Sequence, residues 1–131
     1  MLELLVVLVL LGLLSGLAIN TYLGRVDTAR LQKVAADFST LATALSLYRL
    51  DTGMLPTTAQ GLQALRERPA LEPRPARYKP GGYLAAVPLD PWGREYLYQY
   101  PAEFAGTEYD LYTLGADGES GGGGEDGDIV R

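Results

Sequence analysis

The chain has 131 residues, enough for one domain with a hydrophobic core and too few for two substantial domains. It contains no cysteine and no histidine, which excludes disulfides, thiol nucleophiles, imidazole bases and zinc sites built on those side chains. Its net charge of −5 argues against a nucleic-acid partner, because phosphates are bound by clustered Lys and Arg.

The N-terminal segment is apolar. Every residue in the range 4–19 is apolar, Gly or Ser, and Glu3 is the only charged residue before Arg25. Sixteen helical residues measure about 24 Å, and the flanking residues extend the segment to the roughly 30 Å of a bilayer core. Residues 1–24 are therefore predicted to form a transmembrane or filament-core unit. A cleavable signal peptide is the alternative, but no Lys or Arg precedes the apolar run, as such signals require.

A helical pattern continues beyond the apolar segment, since no proline occurs before Pro56. Apolar side chains recur there at steps of three or four residues, the spacing of one face of an α-helix. These side chains are Leu31, Val34, Phe38, Leu41, Leu45 and Tyr48. The pattern predicts one helix of about 50 residues that ends near Gly53, with its second half packed on a head domain, residues 25–131.

Short loops and a second helix are predicted after the long helix. Thr57 or Thr58 is suited to cap a short helix that ends near Arg66. Residues 69–80 contain four prolines and are typical of an ordered surface loop. The motif Asp90-Pro91-Trp92-Gly93 favours a tight turn.

Two β-like runs follow that turn. Tyr96, Tyr98 and Tyr100 alternate in the first run, and residues 109–114 form the second. The alternation predicts a small antiparallel sheet packed against the helix, with the tyrosines in the core and on the sheet surface rather than in a ligand site. The fold class is therefore predicted as α+β.

The C-terminal segment is acidic and rich in glycine. Eight of the 16 Asp and Glu residues lie beyond residue 100, where Arg131 is the only basic residue. In residues 114–128, glycines let the backbone curve while Asp117, Asp126 and Asp128 supply the hard oxygen ligands that Ca²⁺ prefers. The segment favours a calcium site, and a solvated, disordered tail is the alternative.

Glu3 lies at the edge of the apolar segment, where a carboxylate is costly unless it is paired. Two interpretations stay open. Glu3 lies at the membrane surface, or it pairs with the terminal amine of another chain.

Several motifs, in order along nearly the whole chain, resemble those of one family. Residues 2–12 are similar to the N-terminal signature of the type IV pilin-like superfamily. Later motifs resemble the major pseudopilins of type II secretion systems, and the pair DPWG and LGADG in this order is the most specific. These motifs are Gln60-Gly61-Leu62, Gly82-Tyr83-Leu84, Val87-Pro88-Leu89-Asp90-Pro91-Trp92-Gly93, Tyr109-Asp110-Leu111-Tyr112 and Leu114-Gly115-Ala116-Asp117-Gly118.

The resemblance implies a type IV pilin-like fold and a structural, non-enzymatic function. The chain would span the bacterial inner membrane once and then polymerise into a helical periplasmic pseudopilus that drives export of folded proteins through the outer membrane. The implied partners are copies of the chain itself, minor pseudopilins, the inner-membrane assembly platform, the prepilin peptidase and the membrane.

The resemblance also implies roles for individual residues. Glu3 would pair with the methylated terminal amine of a neighbouring subunit, and a calcium ion would hold the final loop. The implied calcium ligands are the Leu114 carbonyl, the side chains of Asp117, Asp126 and Asp128, and a carbonyl near Glu119 or Ser120.

The chain departs from the family pattern at three places. Met1 stands where the third mature residue is expected, Asn20 stands where a proline is frequent, and Val130-Arg131 replaces an Asn-Trp ending. Two other functions stay open: a type IV pilin for adhesion or DNA uptake, and a membrane-anchored calcium-binding module that does not polymerise. The absence of cysteine and the calcium-like tail disfavour the pilin.

Overall fold

A computed structural model describes the whole chain except the side chains of residues 16–24, which belong to the first helix. The chain divides into two compact units, Met1–Gln32 and Lys33–Arg131. From Leu2 onward the first unit belongs to the long helix, and the second unit contains the end of that helix, two short 3₁₀ helices and three strands.

Helix α1 begins at Leu2 and ends at Thr52. Gly53 ends it with a φ of 76°, a left-handed conformation that favours glycine, and the Gly53 N–H donates to the Arg49 carbonyl at 2.8 Å. The predicted length of the helix and its end near Gly53 are confirmed.

The unit Met1–Gln32 presents apolar side chains to its surroundings. The large apolar side chains of residues 2–14 are each at least 51% exposed. Among the side chains that the structure describes, no helical stretch meets the length and hydropathy needed to cross a bilayer. The predicted membrane span falls partly on residues 16–24. Gly16 and Asn20, the position where the family frequently has a proline, therefore lie outside the described side chains.

The core of the unit Lys33–Arg131 forms between one face of α1 and the sheet. Buried side chains follow the predicted helical spacing and pack against Tyr96, Tyr98 and Leu111. On the helix they are Val34, Phe38, Leu41, Ala44, Leu45 and Tyr48. Leu31, predicted to share that face, is 56% exposed, and the buried stripe begins at Val34. Tyr96 and Tyr98 are buried as predicted, so the tyrosine stripe is part of the core.

Three antiparallel strands form the sheet, in the order β1-β2-β3. Strand β1 is Leu97–Gln99, β2 is Asp110–Thr113 and β3 is Ile129–Val130. Leu97 pairs with Tyr112, which in turn pairs with Val130. The two predicted runs are confirmed as β1 and β2, whereas β3 follows the acidic loop and was not predicted.

The second helix is a single 3₁₀ turn, Leu62–Leu65, and is shorter than predicted. Thr57 caps the turn that precedes this 3₁₀ helix. The Thr57 N–H donates to Gln60 Oε1, and the Gln60 N–H donates to Thr57 Oγ1. An α-helix that continued from here would need an N–H at position 69 for the Leu65 carbonyl, and Pro69 has none. That carbonyl accepts from the N–H groups of Tyr83 and Leu84 instead, at 2.6 and 3.1 Å.

Candidate functional site

The turn at residues 90–93 lies before β1. A hydrogen bond attaches it to the end of β2, the strand that leads into the acidic loop. Asp90 is buried, and its Oδ1 accepts from the N–H groups of Trp92 at 3.0 Å and Arg94 at 2.8 Å. Its Oδ2 accepts from the Thr113 hydroxyl at 2.6 Å. The predicted turn is confirmed, and the hydrogen bond to Thr113 fixes it to the end of β2.

Arg94 then connects the turn to the acidic loop. Its guanidinium donates to the carbonyls of Gly115 at 2.8 Å and Ala116 at 3.1 Å. A Cβ added at Gly118 would lie 2.7 Å from Arg94 Cζ, so a side chain at this position would displace the guanidinium. Sequence reasoning missed Arg94, because nothing in the motif that it follows indicates partners 21 and 22 residues further along the chain.

The acidic loop, residues 114–128, closes back on itself. The Ala116 N–H donates to the Glu125 carbonyl at 2.9 Å. Gly115 has a φ of 72°, and a Cβ there would lie 2.7 Å from the Gly127 carbonyl oxygen. The two ends of the loop are therefore in backbone contact before the chain enters β3.

The predicted calcium ligands occupy different environments in this loop. Leu114 is half-buried and Ser120 is exposed. Asp117 is exposed, and its Oδ1 accepts from the Glu119 N–H at 3.0 Å. Asp126 is exposed at the end of the 3₁₀ turn Gly124–Asp126. Asp128 is half-buried, and its Oδ2 accepts from the Gly121 N–H at 2.9 Å.

The second oxygen of Asp128 bears directly on metal binding. Asp128 Oδ1 is buried and has no hydrogen-bond partner within the part of the chain that the structure describes. A buried carboxylate oxygen without a donor costs free energy that a cation would offset. In the same described part, no three acidic side chains converge closely enough to bind one metal ion together. The predicted donors fit Ca²⁺ in kind, because they are carboxylate and carbonyl oxygens. They are not gathered around one point in the described part of the chain, and calcium binding stays a prediction.

Asp110, at the start of β2, organises the loop before that strand. It accepts from the N–H groups of Glu103 at 2.6 Å, Phe104 at 2.8 Å and Ala105 at 2.9 Å. Burial acts to raise the pKa of this carboxyl, but the three backbone donors outweigh burial and lower the pKa below its usual value. Asp110 therefore stays charged and holds the loop over the outer face of the sheet.

Glu3, the predicted assembly residue, lies in the first turn of α1. Its side chain is 98% exposed, and its Oε2 lies 3.6 Å from the amine of Met1 in the same chain. An ion pair between two exposed groups contributes little to stability. The predicted pairing with the amine of another subunit stays a prediction.

Comparisons with known proteins agree with this architecture. The family described as "Type II secretion system (T2SS), protein G" matches residues 21–131. The type II secretion system core protein G of Vibrio cholerae is 44% identical over 129 residues, which cover 98% of this chain and 86% of that protein. The Pseudomonas aeruginosa protein of the same name is 41% identical over 131 residues, covering 98% of this chain and 89% of that one.

The fold also matches a solved structure. The crystal structure of the major pseudopilin from the type 2 secretion system of enterohaemorrhagic Escherichia coli superposes with a TM-score of 0.72 at 38% identity. The match covers 83% of this chain and 91% of that one. The chain therefore belongs to the type II secretion system core protein G family: it is a major pseudopilin, a structural subunit of the pseudopilus and not an enzyme.

Proposed function

We propose that residues 1–24 hold the chain in the bacterial inner membrane until it joins the periplasmic pseudopilus, where the same residues form the filament core. The observation that carries this proposal is the exposure of the large apolar side chains of residues 2–14. Apolar surface of this extent is unfavourable in water and is stabilised by lipid or by identical helices. The minor pseudopilins, the assembly platform and the prepilin peptidase are the partners that this route requires.

Glu3 is proposed to set the register between subunits in that core. Burial of apolar helices is not directional, so it does not by itself determine how far one helix is shifted along the next. A carboxylate carried into an apolar environment is tolerated when a positive group meets it. The terminal amine of a neighbouring subunit is a group of the right charge, and it would meet Glu3 at one register only.

The acidic loop is proposed to bind calcium. The donors would be the Leu114 carbonyl, the carboxylates of Asp117, Asp126 and Asp128, and a carbonyl near Ser120. The buried Asp128 Oδ1, which lacks a hydrogen-bond donor among the described residues, is the observation that supports this proposal. The cation would draw the three carboxylates together and would hold the loop closed between β2 and β3.

Thermal melting of the detergent-solubilised full chain, with Ca²⁺ and with a chelator, tests the calcium proposal. Calcium should raise the melting temperature of the unaltered chain, and Asp117→Ala and Asp128→Asn should reduce that increase and impair secretion. Glu95→Gln removes an exposed charge outside the loop and is the matched control, with a calcium response like that of the unaltered chain. Equal melting with calcium and chelator would contradict the proposal.

Electron microscopy of cells that overproduce the chain tests assembly. Short periplasmic filaments are expected when calcium is present and fewer when it is chelated. A chain that stays monomeric in the membrane would contradict the proposed assembly.

A further inference from the structure

The function as a pseudopilus subunit, on which this inference rests, requires two different contact surfaces on each subunit. A filament grows through heterologous contacts, in which one surface of a subunit meets another surface of the next. The unit Lys33–Arg131 carries two exposed features that differ in shape and in charge.

The first feature is an aromatic side chain in a fixed position. Asp110 binds the backbone at Phe104 and at the residues on both sides of it. The Phe104 ring packs edge-on against Tyr112, with ring centroids 5.9 Å apart and planes at 81°. Phe104 is nevertheless 62% exposed, and the exposed carboxylate of Glu103 precedes it. Aromatic residues, Phe among them, are enriched in protein interfaces, and the bonds from Asp110 hold this one in place before a partner binds.

The second feature is an open cavity of about 400 Å³ at the C-terminal end of α1. Its apolar lining includes Leu50, which is 79% exposed, together with Tyr78 and Pro80. Two exposed basic residues, Arg77 and Lys79, also line it, together with the carboxylate of Asp51, which accepts from the Tyr83 hydroxyl. Two positive charges therefore face one negative charge that already has a partner. The cavity is wide open to solvent, so a side chain of another molecule can reach its lining.

The two features lie on opposite flanks of α1. The loop that carries Phe104 is fixed to the helix by an ion pair between Glu108 and Arg49. The segment that lines the cavity is fixed to Asp51 by the Tyr83 hydroxyl, at 3.1 Å. Residues two positions apart in an α-helix are separated by about 200° around its axis. One subunit can therefore present the aromatic residue to one neighbour and the cavity to another.

We propose that Phe104 of each subunit inserts into the cavity beside Leu50 of the next subunit, with Glu103 facing Arg77 and Lys79. The apolar surfaces of ring and cavity would be buried together, and opposite charges around them would favour one orientation. The contact can repeat along a filament. After two subunits join, one end of the pair still presents a free Phe104 and the other end a free cavity, so a further subunit can add at either end.

Disulfide crosslinking tests this contact, since the chain has no cysteine of its own. The full chain with both Glu103→Cys and Lys79→Cys, oxidised in filament-producing cells, should form a ladder of dimers, trimers and larger species. The matched control pairs Glu103→Cys with Glu95→Cys, an exposed position that does not line the cavity, and much less ladder is expected from it. If electron microscopy shows filaments of the double variant and the ladder does not exceed the control, the proposed contact is overturned and the pseudopilus function stands. Absence of filaments from the unaltered chain would instead contradict the proposed assembly.

Charge exchange provides a second readout. Glu103→Lys alone, or Arg77→Glu with Lys79→Glu, should lower the filament yield about tenfold, because like charges then face each other. Combining all three substitutions should restore the yield to within about threefold of the unaltered chain. If the combined variant keeps its melting temperature and the yield is not restored, the proposed charge pairing is overturned.

Discussion

Two buried carboxylates hold the irregular parts of the head in place. Asp90 and Asp110 each accept backbone N–H groups from a loop that lies outside the three strands. A buried carboxylate is stable when such donors satisfy it, and each residue thereby fixes a loop to the sheet. Substitutions that change one hydrogen-bonding atom at or beside these two carboxylates should therefore alter the stability of the head measurably.

Asp110→Asn tests the role of this charge. Only one terminal atom of an Asn side chain, its oxygen, accepts hydrogen bonds, so the three backbone N–H groups would lose part of their bonding. The variant should therefore have a melting temperature several degrees lower at neutral pH, measured in thermal scans of the detergent-solubilised chain. The pKa of Asp110 is lowered in the folded state, so its stabilising effect is present above the unfolded value of about 3.8 and is lost as pH falls through the lower folded value. The difference in melting temperature between the two chains should accordingly shrink in acid. A difference that is constant with pH would show that the charge of Asp110 does not stabilise the loop.

Thr113→Val tests the bond between the turn and β2. The substitution preserves shape and removes the hydroxyl that donates to Asp90 Oδ2, leaving a buried carboxylate oxygen without that donor. The free energy of unfolding should fall by about 1–3 kcal/mol in urea titrations. Thr43→Val is the control, because its hydroxyl donates to the Ser39 carbonyl on the exposed side of α1, and a change within about 0.5 kcal/mol is expected there. Equal effects of the two substitutions would contradict this account.

Local chemistry decides which of these residues sequence reasoning could find. The turn at Asp90 was predictable, because a proline, a glycine and an Asp side chain act within four residues of one another. The roles of Arg94 and Asp110 were not predictable in the same way, since their side chains are ordinary surface types. Only the folded chain brings Arg94 to carbonyls more than 20 residues away.

At the scale of elements, the acidic loop depends on glycine at the points where its backbone closes. Gly115 and Gly121 both have positive φ, 72° and 96°. They differ in their surroundings, because a Cβ at Gly115 would meet the Gly127 carbonyl whereas at Gly121 no atom lies within 4 Å among the described residues. Comparing substitutions at the two glycines therefore separates the cost of a strained backbone conformation, present at both, from the cost of a steric clash, present at Gly115 alone.

Gly115→Ala should destabilise the head more than Gly121→Ala does. Both substitutions place a side chain in a left-handed conformation, at about 1–3 kcal/mol each. Gly115→Ala also forces the two ends of the loop apart, and overpacking of this kind costs about 1–3 kcal/mol more. Urea denaturation of the full chain measures both values. A Gly121→Ala variant as unstable as Gly115→Ala would show that the backbone contact at Gly115 contributes nothing.

The elements themselves were predictable to different degrees. Helix α1 and its end follow from periodicity and from Gly53 and Pro56, all signals within a few residues. The two residues of β3 are too few to show alternation, and they join the sheet only because the preceding loop closes. The second helix was predicted too long, since the partners of the Leu65 carbonyl come from residues 83 and 84.

At the scale of the whole molecule, the apolar side chains of residues 2–14 and the charge of Glu3 have opposite requirements. The apolar side chains favour removal from water, whereas the carboxylate favours water or a positive partner. Lipid satisfies both if Glu3 stays at the surface. A filament core satisfies both only if each Glu3 meets a cation, so assembly should depend on this residue far more than membrane insertion does.

Glu3→Ala should therefore insert into the inner membrane normally and assemble poorly. Insertion is measured by the amount of chain that alkaline extraction leaves in the membrane, which should equal that of the unaltered chain. Assembly is measured by filament yield in electron micrographs, which should fall at least about tenfold, since pairing of a charge in a membrane-like environment is worth several kcal/mol. Glu3→Gln keeps the size and removes the charge, so it should behave like Glu3→Ala, whereas Glu3→Asp keeps the charge and should retain part of the yield. Normal filaments from Glu3→Gln would show that the register is set without this charge, and the helices would then have to be aligned by the head contacts alone.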